Sequence, residues 1–216
     1  MNTNYEQLLE ETKSKVLGLS ELTPENQWVQ DSVKDGCTIH TKMNPLNELK
    51  INRIEAQVDV DPEAFINLVT NMTKKKEYDS NFEEVLYWNI LKGRVLEKLD
   101  QNTTIYYARG KPPVFIVDPR DFCIITRNYK LGDGHYLAIS KSIEHPQAPL
   151  VKGIQRAEMI FAGWIVKKLP NGKTNIIMIG HMNPKGDIPK AIVNQGAKFQ
   201  VEGLNKALNY LNKNKQ

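Results

Sequence analysis

Nine strand-like runs, joined mostly by short turns, constrain this chain more than any other feature. Three come first: "QWVQDSV", "CTIHTKM" and "ELKINRIEAQVDV", with Lys34-Asp35-Gly36 marking a hairpin turn. Six more dominate from about residue 94: "RVLEKLD", "TTIYYAR", "RDFCIITRNY", "HYLAISKSI", "GIQRAEMIFAGWIVKKL" and "TNIIMIGHM", with "DQN", "GDG" and "PNGK" as turns. Most of these connections suit antiparallel hairpins, because a parallel crossover needs a dozen or more residues. A sheet of about nine antiparallel strands is wide enough to curl, and its concave face must then be covered.

Helical patterns supply the cover. Residues 4–17 place Leu8, Leu9, Val16 and Leu17 among Glu and Lys and end near Gly18. "DPEAFINLVTNM" opens with Asp61 as N-cap and Pro62 in the first turn, and Phe65, Leu68, Val69 and Met72 share one face. A last helix, from about Pro189 to Leu211, aligns Val193, Ala197, Val201, Leu204, Leu208 and Leu211. The corner before it, Pro184 to Pro189, swings the chain off the final strand. Gly196, Ala197 and Gly203 leave the helix thinly packed and cheap to shift. "EYDSNFEEVLYWNIL", residues 77–91, fits a short helix or the approach to a strand, and both readings stay open.

A long helix over the open mouth of a curled sheet encloses a cavity, and an apolar cavity suits a lipid or similar small molecule. The connection "GKPPVFIVDP" at 110–119 has proline-rich ends and an apolar centre, Val114, Phe115, Ile116 and Val117. A polar connector needs no such centre, so this loop folds back onto the body or touches something greasy outside it, and a lid does both.

With 216 residues, 40% hydrophobic and 25% charged, the chain reads as an ordinary globular protein of one domain, with or without an N-terminal extension. It has no run of roughly 20 apolar residues and no signal-peptide core, so a cytoplasmic protein is expected. The basic excess of four is scattered, apart from Lys74-Lys75-Lys76 and the tail, which argues against nucleic acid and allows a weak attraction to anionic membranes. Cys37 and Cys123 lie inside strand-like runs and read as buried thiols. His40, His135, His145 and His181 are far apart, no nucleophile elbow, phosphate loop or paired-carboxylate motif is present, and so no catalytic residue, metal or cofactor is expected.

Three stretches, "PRDFCIITR" at 119–127, "SIEHPQAPLVKGIQRAEMIFAGWIVKKL" at 142–169 and "HMNPKGDIPKAIVNQ" at 181–195, resemble the START family of steroidogenic-acute-regulatory-protein-related lipid-transfer domains. The motifs keep the family's order and spacing, and the likeness covers about residues 20–213, with 1–19 an N-terminal helix or extension of the 20–216 domain. It implies an α+β helix-grip fold, in which a curved antiparallel sheet wraps a long C-terminal helix around an internal apolar cavity.

The resemblance also implies one lipid in a tunnel between sheet and helix, entered beside the 110–119 loop at a membrane surface, by a monomer that binds no nucleic acid. Phospholipid, sterol and ceramide all occur in the family, and phospholipid is favoured on breadth alone. Alternation from the family's inward positions turns Phe122, Ile124 and Thr126 into the cavity, and Ala157, Met159 and Phe161 with them. Tyr107 and Ile139 join that wall, Val193, Ala197, Gln200, Leu204 and Leu208 line it from the helix, and Val114 to Val117 form the gate. Arg156 and Glu158 then point outward.

Family members often carry an arginine at the position of Thr126. Here the charge has moved to Arg127, so either the cavity is less charged than usual or a bulge returns Arg127 to the inside. Asp187 stands where the family usually has a large aromatic residue, and suits an N-cap. Trp164 reads as a core aromatic, and Arg120 with Asp121 as pins for the loop's end. Two alternatives to transfer are a lipid-responsive sensor or scaffold, and a cavity enzyme in which Tyr106, Tyr107 and Glu158 would be the groups to examine.

Overall fold

The computed structural model describes residues 3–79, 94–110 and 118–214. Helix α1, Thr3–Gly18, precedes a meander of β1 (Val29–Lys34), β2 (Cys37–Asn44) and β3 (Leu49–Val58). Helices α2 (Pro62–Thr70) and α3 (Lys75–Tyr78) lead to β4 (Arg94–Lys98), β5 (Thr103–Gly110), β6 (Arg120–Gly132) and β7 (His135–Ser142). Strands β8 (Gln155–Arg156), β9 (Glu158–Lys168) and β10 (Thr174–Asn183) follow, and α4 (Lys190–Val193) and α5 (Gly196–Lys213) end the chain.

All nine strand-like runs form strands, and the tenth, β8, splits off the front of the eighth run to lie parallel to β6. The curved sheet runs β1-β2-β3-β10-β9-β7-β6-β5-β4, antiparallel throughout this path. It is an α+β helix-grip architecture.

Each face of the sheet has its own apolar cluster. On the concave face Ile39, Ile54, Ala138, Val166, Ile176 and Met178 pack with Phe65, Leu68 and Val69 of α2 and with Ala197, Val201, Leu204 and Leu208 of α5. Trp164 meets Phe65 edge-on, ring centroids 5.5 Å apart, as a core aromatic should. On the convex face Leu9 and Val16 of α1 seal Ile105, Cys123, Ile125, Leu137 and Ile179. A side chain at Gly163 would put its Cβ 2.3 Å from Val16 Cγ1, so only glycine lets α1 lie this close to β9. The two cysteines are free thiols on opposite faces, and burial pushes both thiol pKa values up.

Register decides Arg127. Strands β5, β6 and β7 stay in step through residue 127, so Arg127 remains on the convex face opposite Thr104's neighbour Thr103. Its guanidinium donates to Glu6 Oε1 at 2.6 Å and Oε2 at 2.9 Å, and its Nε to Thr103 Oγ1 at 2.7 Å. No bulge returns it to the interior, and it serves instead to dock α1.

The last helix differs from the single span expected. Asn194 and Gln195 interrupt it, because the Asn194 side chain accepts the backbone N–H of Lys50 at 2.9 Å and anchors the break to β3. Asp187 is exposed and caps nothing; α4 starts after Pro189 without a side-chain cap. Asp61 does cap α2, accepting from the Ala64 N–H at 2.7 Å. Most of the 77–91 stretch, and the gate residues Val114, Phe115, Ile116 and Val117, lie outside the described residues.

Candidate functional site

One row of paired residues crosses the concave face: Thr104 on β5, Thr126 on β6, Ser140 on β7, Ala162 on β9, Gly180 on β10, Asn52 on β3 and Thr41 on β2. Nothing in it exceeds asparagine in size, and nothing in it is charged. The next row toward α2 is Asn128, Ala138, Trp164, Met178, Ile54 and Ile39, which is mostly large, apolar and packed. Sheet and helix therefore pack through large side chains over this second row, whereas over the first the helix reaches the sheet through Gln200, at Asn52 and Gly180.

Accessibility agrees. Ser140 and Ala162 sit in central strands, flanked on both sides, yet remain partly exposed, whereas their convex neighbours Ile139 and Phe161 are 0% and 1% exposed. A small residue in mid-sheet keeps solvent contact only where the layer above it leaves room. Toward the far rim, Tyr106, Ala108, Ile124 and Ala157 are buried yet belong to neither apolar cluster of the described residues. Thr126 and Ser140 share a hydroxyl hydrogen bond of 2.9 Å.

The sequence-derived wall divides accordingly. Phe122, Ile124 and Thr126 share the concave face with Tyr106. Met159 does too, because β9 bulges: Phe161 opposes His181 but Met159 opposes Met182, leaving Ile160 unpaired. That extra residue resets the phase, so Phe161 belongs to the convex cluster under α1, a correction to the simple alternation. Ile139 and Tyr107 are corrected likewise. Ile139 pairs with Gly163 and Arg127 and packs in the convex cluster. Tyr107 donates its hydroxyl to Asp121 Oδ2 at 2.6 Å, and Arg156 donates to the same carboxylate at 2.7 and 3.1 Å. Burial, then the hydrogen bond to the Asp121 carboxylate, push the Tyr107 hydroxyl pKa up.

From the closing helix, Ala197, Leu204 and Leu208 belong to the concave cluster, Val193 is partly exposed on α4, and Gln200 accepts a hydrogen bond from Asn52 Nδ2 at 3.1 Å. Asn52, Ser140 and Gly180 escaped the sequence reading. Their signal was present, a polar or side-chain-free position where alternation along each strand calls for an inward apolar residue.

At the mouth Arg120 and Asp121 do not pair with each other. Arg120 donates to the carbonyls of Pro184 at 3.3 Å and Lys185 at 3.0 Å, and to that of Asp118, tying the end of the 110–119 loop to the corner before α4. Gly186, at φ +71°, would bring a Cβ to 3.0 Å from Arg120 Nη2, so this junction needs its glycine. Glu158 faces outward and pairs with Lys185 at 3.3 Å. Beside it His181 is 1% exposed, with the amides of Asn44 and Asn47 at 3.0 and 3.1 Å from Nε2 and the Lys50 carbonyl at 3.3 Å from Nδ1. That set fits a neutral ring, protonated at Nδ1, with Nε2 accepting. Burial pushes its pKa down.

The START domain family model matches residues 8–216. Human START domain-containing protein 10 is 25% identical over 141 residues, 65% of this chain and 45% of that protein. Human StAR-related lipid transfer protein 13 is 27% identical over 167 residues, 76% of this chain and 14% of that protein. The chain thus spans less than half the length of these curated relatives. Among solved structures, human StAR-related lipid transfer protein 5 superposes with a TM-score of 0.83 at 17% identity, covering 100% of both chains. Human STARD10 gives 0.79 at 19% identity, covering 94% of this chain and 79% of its own. These likenesses concern the fold; the match along nearly the whole sequence goes further, and by it the chain belongs to the START-domain family.

Proposed function

We propose that this protein binds one lipid between the concave face and α5 and carries it between membranes. The observation behind this reading is the row of small, uncharged residues beside the packed apolar floor, left partly open at Thr104, Ser140 and Ala162. Phospholipid, sterol and ceramide are the candidate cargoes, phospholipid first on the breadth of the family alone. Each buried methylene of a lipid gains about 0.8 kcal/mol, so release into water is slow and exchange takes place in contact with a bilayer.

Phe122, Ile124, Thr126, Ala157 and Met159 form the wall, Gln200 and its helical neighbours the cover. Val114 to Val117 of the 110–119 loop touch the membrane, and Arg120 links Asp118, at that loop's end, to the corner before α4. The protein works as a monomer in the cytoplasm and meets membranes transiently; among the described residues no helix is long and apolar enough to cross one. It performs no chemistry on its cargo, since Glu158 faces away from the wall and pairs with Lys185.

Native mass spectrometry of the purified protein, with identification of the extracted ligand, tests this. A stoichiometric lipid that moves between vesicles is the expected result. A protein that is empty, and gains no mass from lipid vesicles, overturns it, whereas tight binding without vesicle-to-vesicle movement replaces carrier by sensor.

A further inference from the structure

Asn52 is 7% exposed, and its side-chain oxygen has no hydrogen-bond partner among the described residues. Its Nδ2 donates to Gln200 Oε1, and Gly180 beside it on the sheet has no side chain, which lets the Gln200 amide lie over it. Turning both amides over exchanges donor for acceptor and still leaves one polar atom of Asn52 unpaired. A buried polar atom without a partner is costly, and natural interiors keep few of them. Asn52 belongs to the same transverse row as the hydroxyls of Thr41, Ser140, Thr126 and Thr104.

We infer that Asn52 receives the polar end of the cargo, and that this end is an uncharged hydroxyl rather than a phosphate. A hydroxyl both donates and accepts, so it completes Asn52 in either orientation. Among the described residues no member of this row is a cation, and the arginines adjacent in sequence to Asn52 and Thr126, Arg53 and Arg127, are held on the opposite face, the first by Ser20 and Glu55 and the second by Glu6 and Thr103, so a phosphate buried against the row would meet amides, hydroxyls and glycine. The inference rests on the lipid-binding reading but replaces its family-based preference for phospholipid, and it limits the cargo to lipids with a free hydroxyl, such as diacylglycerols, ceramides and sterols.

The same pair has a mechanical consequence. Asn52 belongs to β3 and Gln200 to α5, so a hydroxyl bound to Asn52 extends a hydrogen-bonded chain from cargo through sheet to closing helix. An occupied row holds the helix down, and an empty one leaves the pair incomplete.

The test presents the protein with vesicles carrying dioleoylglycerol or 1,2-dioleoyl-3-acetylglycerol, cholesterol or cholesteryl acetate, and dioleoylphosphatidylcholine, and reads occupancy by native mass spectrometry. The free hydroxyl is expected to load roughly tenfold better than its acetylated partner in at least one pair, and better than phosphatidylcholine. Asn52→Leu is expected to load lipid without that preference, and Gln200→Leu to weaken it.

Equal loading within both pairs, preferential loading of phosphatidylcholine, or an unchanged preference in a folded Asn52→Leu protein overturns the inference while leaving lipid binding intact. The wild-type pairs decide even if Asn52→Leu does not fold. A wild-type protein that loads none of these lipids and no ceramide, and carries no co-purifying lipid, overturns the lipid-binding reading itself, and this inference with it.

Discussion

The two faces of one sheet are closed in opposite ways. On the convex side α1 lies close enough for Val16 to need a glycine beneath it, and an arginine carboxylate pair fixes its N-terminal end. On the concave side α5 packs apolar side chains over the floor shared with α2, and beside that floor runs a row with little side-chain volume, which the helix meets through Gln200. The first arrangement converts apolar area into stability, at about 1.5–3 kcal/mol for each fully buried large side chain such as Leu9 or Val16. The second gives up that gain in return for room.

Enlarging substitutions in adjacent residues sharpen the contrast. Gly163→Val drives a branched side chain into Val16 and should lower stability by about 3 kcal/mol or more, a fall in Tm of roughly 6–12 °C for a chain of this length. Chemical or thermal melts with α1 intact would read it. One residue away, Ala162→Phe fills the open row instead. Its expected cost is under about 1 kcal/mol, with lipid occupancy by native mass spectrometry cut at least severalfold. A Tm loss at Ala162 as large as that at Gly163 would erase the distinction between the faces.

That distinction explains how far the sequence could be read. Strand existence was legible from alternation and turns, and the closing helix from its apolar stripe. Which face each residue joins was harder, because both faces are covered. In β5 Ile105, Tyr106, Tyr107 and Ala108 are all buried, so the alternation that marks a half-exposed strand is missing, and Tyr107 looked as inward as Tyr106. In β9 a single unpaired residue, Ile160, reverses the phase between Met159 and Phe161, and no composition signals it. The break in the last helix is a tertiary effect, since Asn194 bonds to Lys50 across 144 residues. Arg127 was decided by regular register alone, a point that alternation could state but not settle while a bulge stayed possible in principle.

The docking pair gives a smaller effect with a defined pH sign. Arg127→Met removes the buried head group and leaves Thr103 and Glu6 without their donor; about 1–3 kcal/mol of stability should be lost, with lipid loading unchanged. Glu6 is solvent-exposed, and its hydrogen bonds from Arg127 hold its carboxyl below the usual range. A depressed carboxylate pKa contributes stability that is present above the unfolded value and lost as pH falls through the folded one. The Tm of the wild type should therefore drop more steeply than that of Glu6→Gln on acidification below about pH 4.5, the ordinary glutamate value. Parallel profiles for the two proteins would show that the bridge carries no net stability.

His181 should give the smallest change, at the seam between the faces. It is buried under the β2–β3 turn, where its neutral ring joins Asn44, Asn47 and the Lys50 carbonyl, and its pKa is lowered by burial. For a base whose folded pKa is depressed, the unfolded chain binds the extra proton first, so stability falls as pH drops below the ordinary histidine value of 6.5 toward the folded one. Burial lowers His40 and His135 as well, and they add to the same slope. Replacing His181 with Gln should flatten the Tm profile between about pH 7 and pH 5 without abolishing it. Hydrogen exchange at Asn47 and Lys50 would locate the loss, because protonating Nε2 turns an acceptor of two amides into a donor facing them and frees the turn beside the corner that leads into α4.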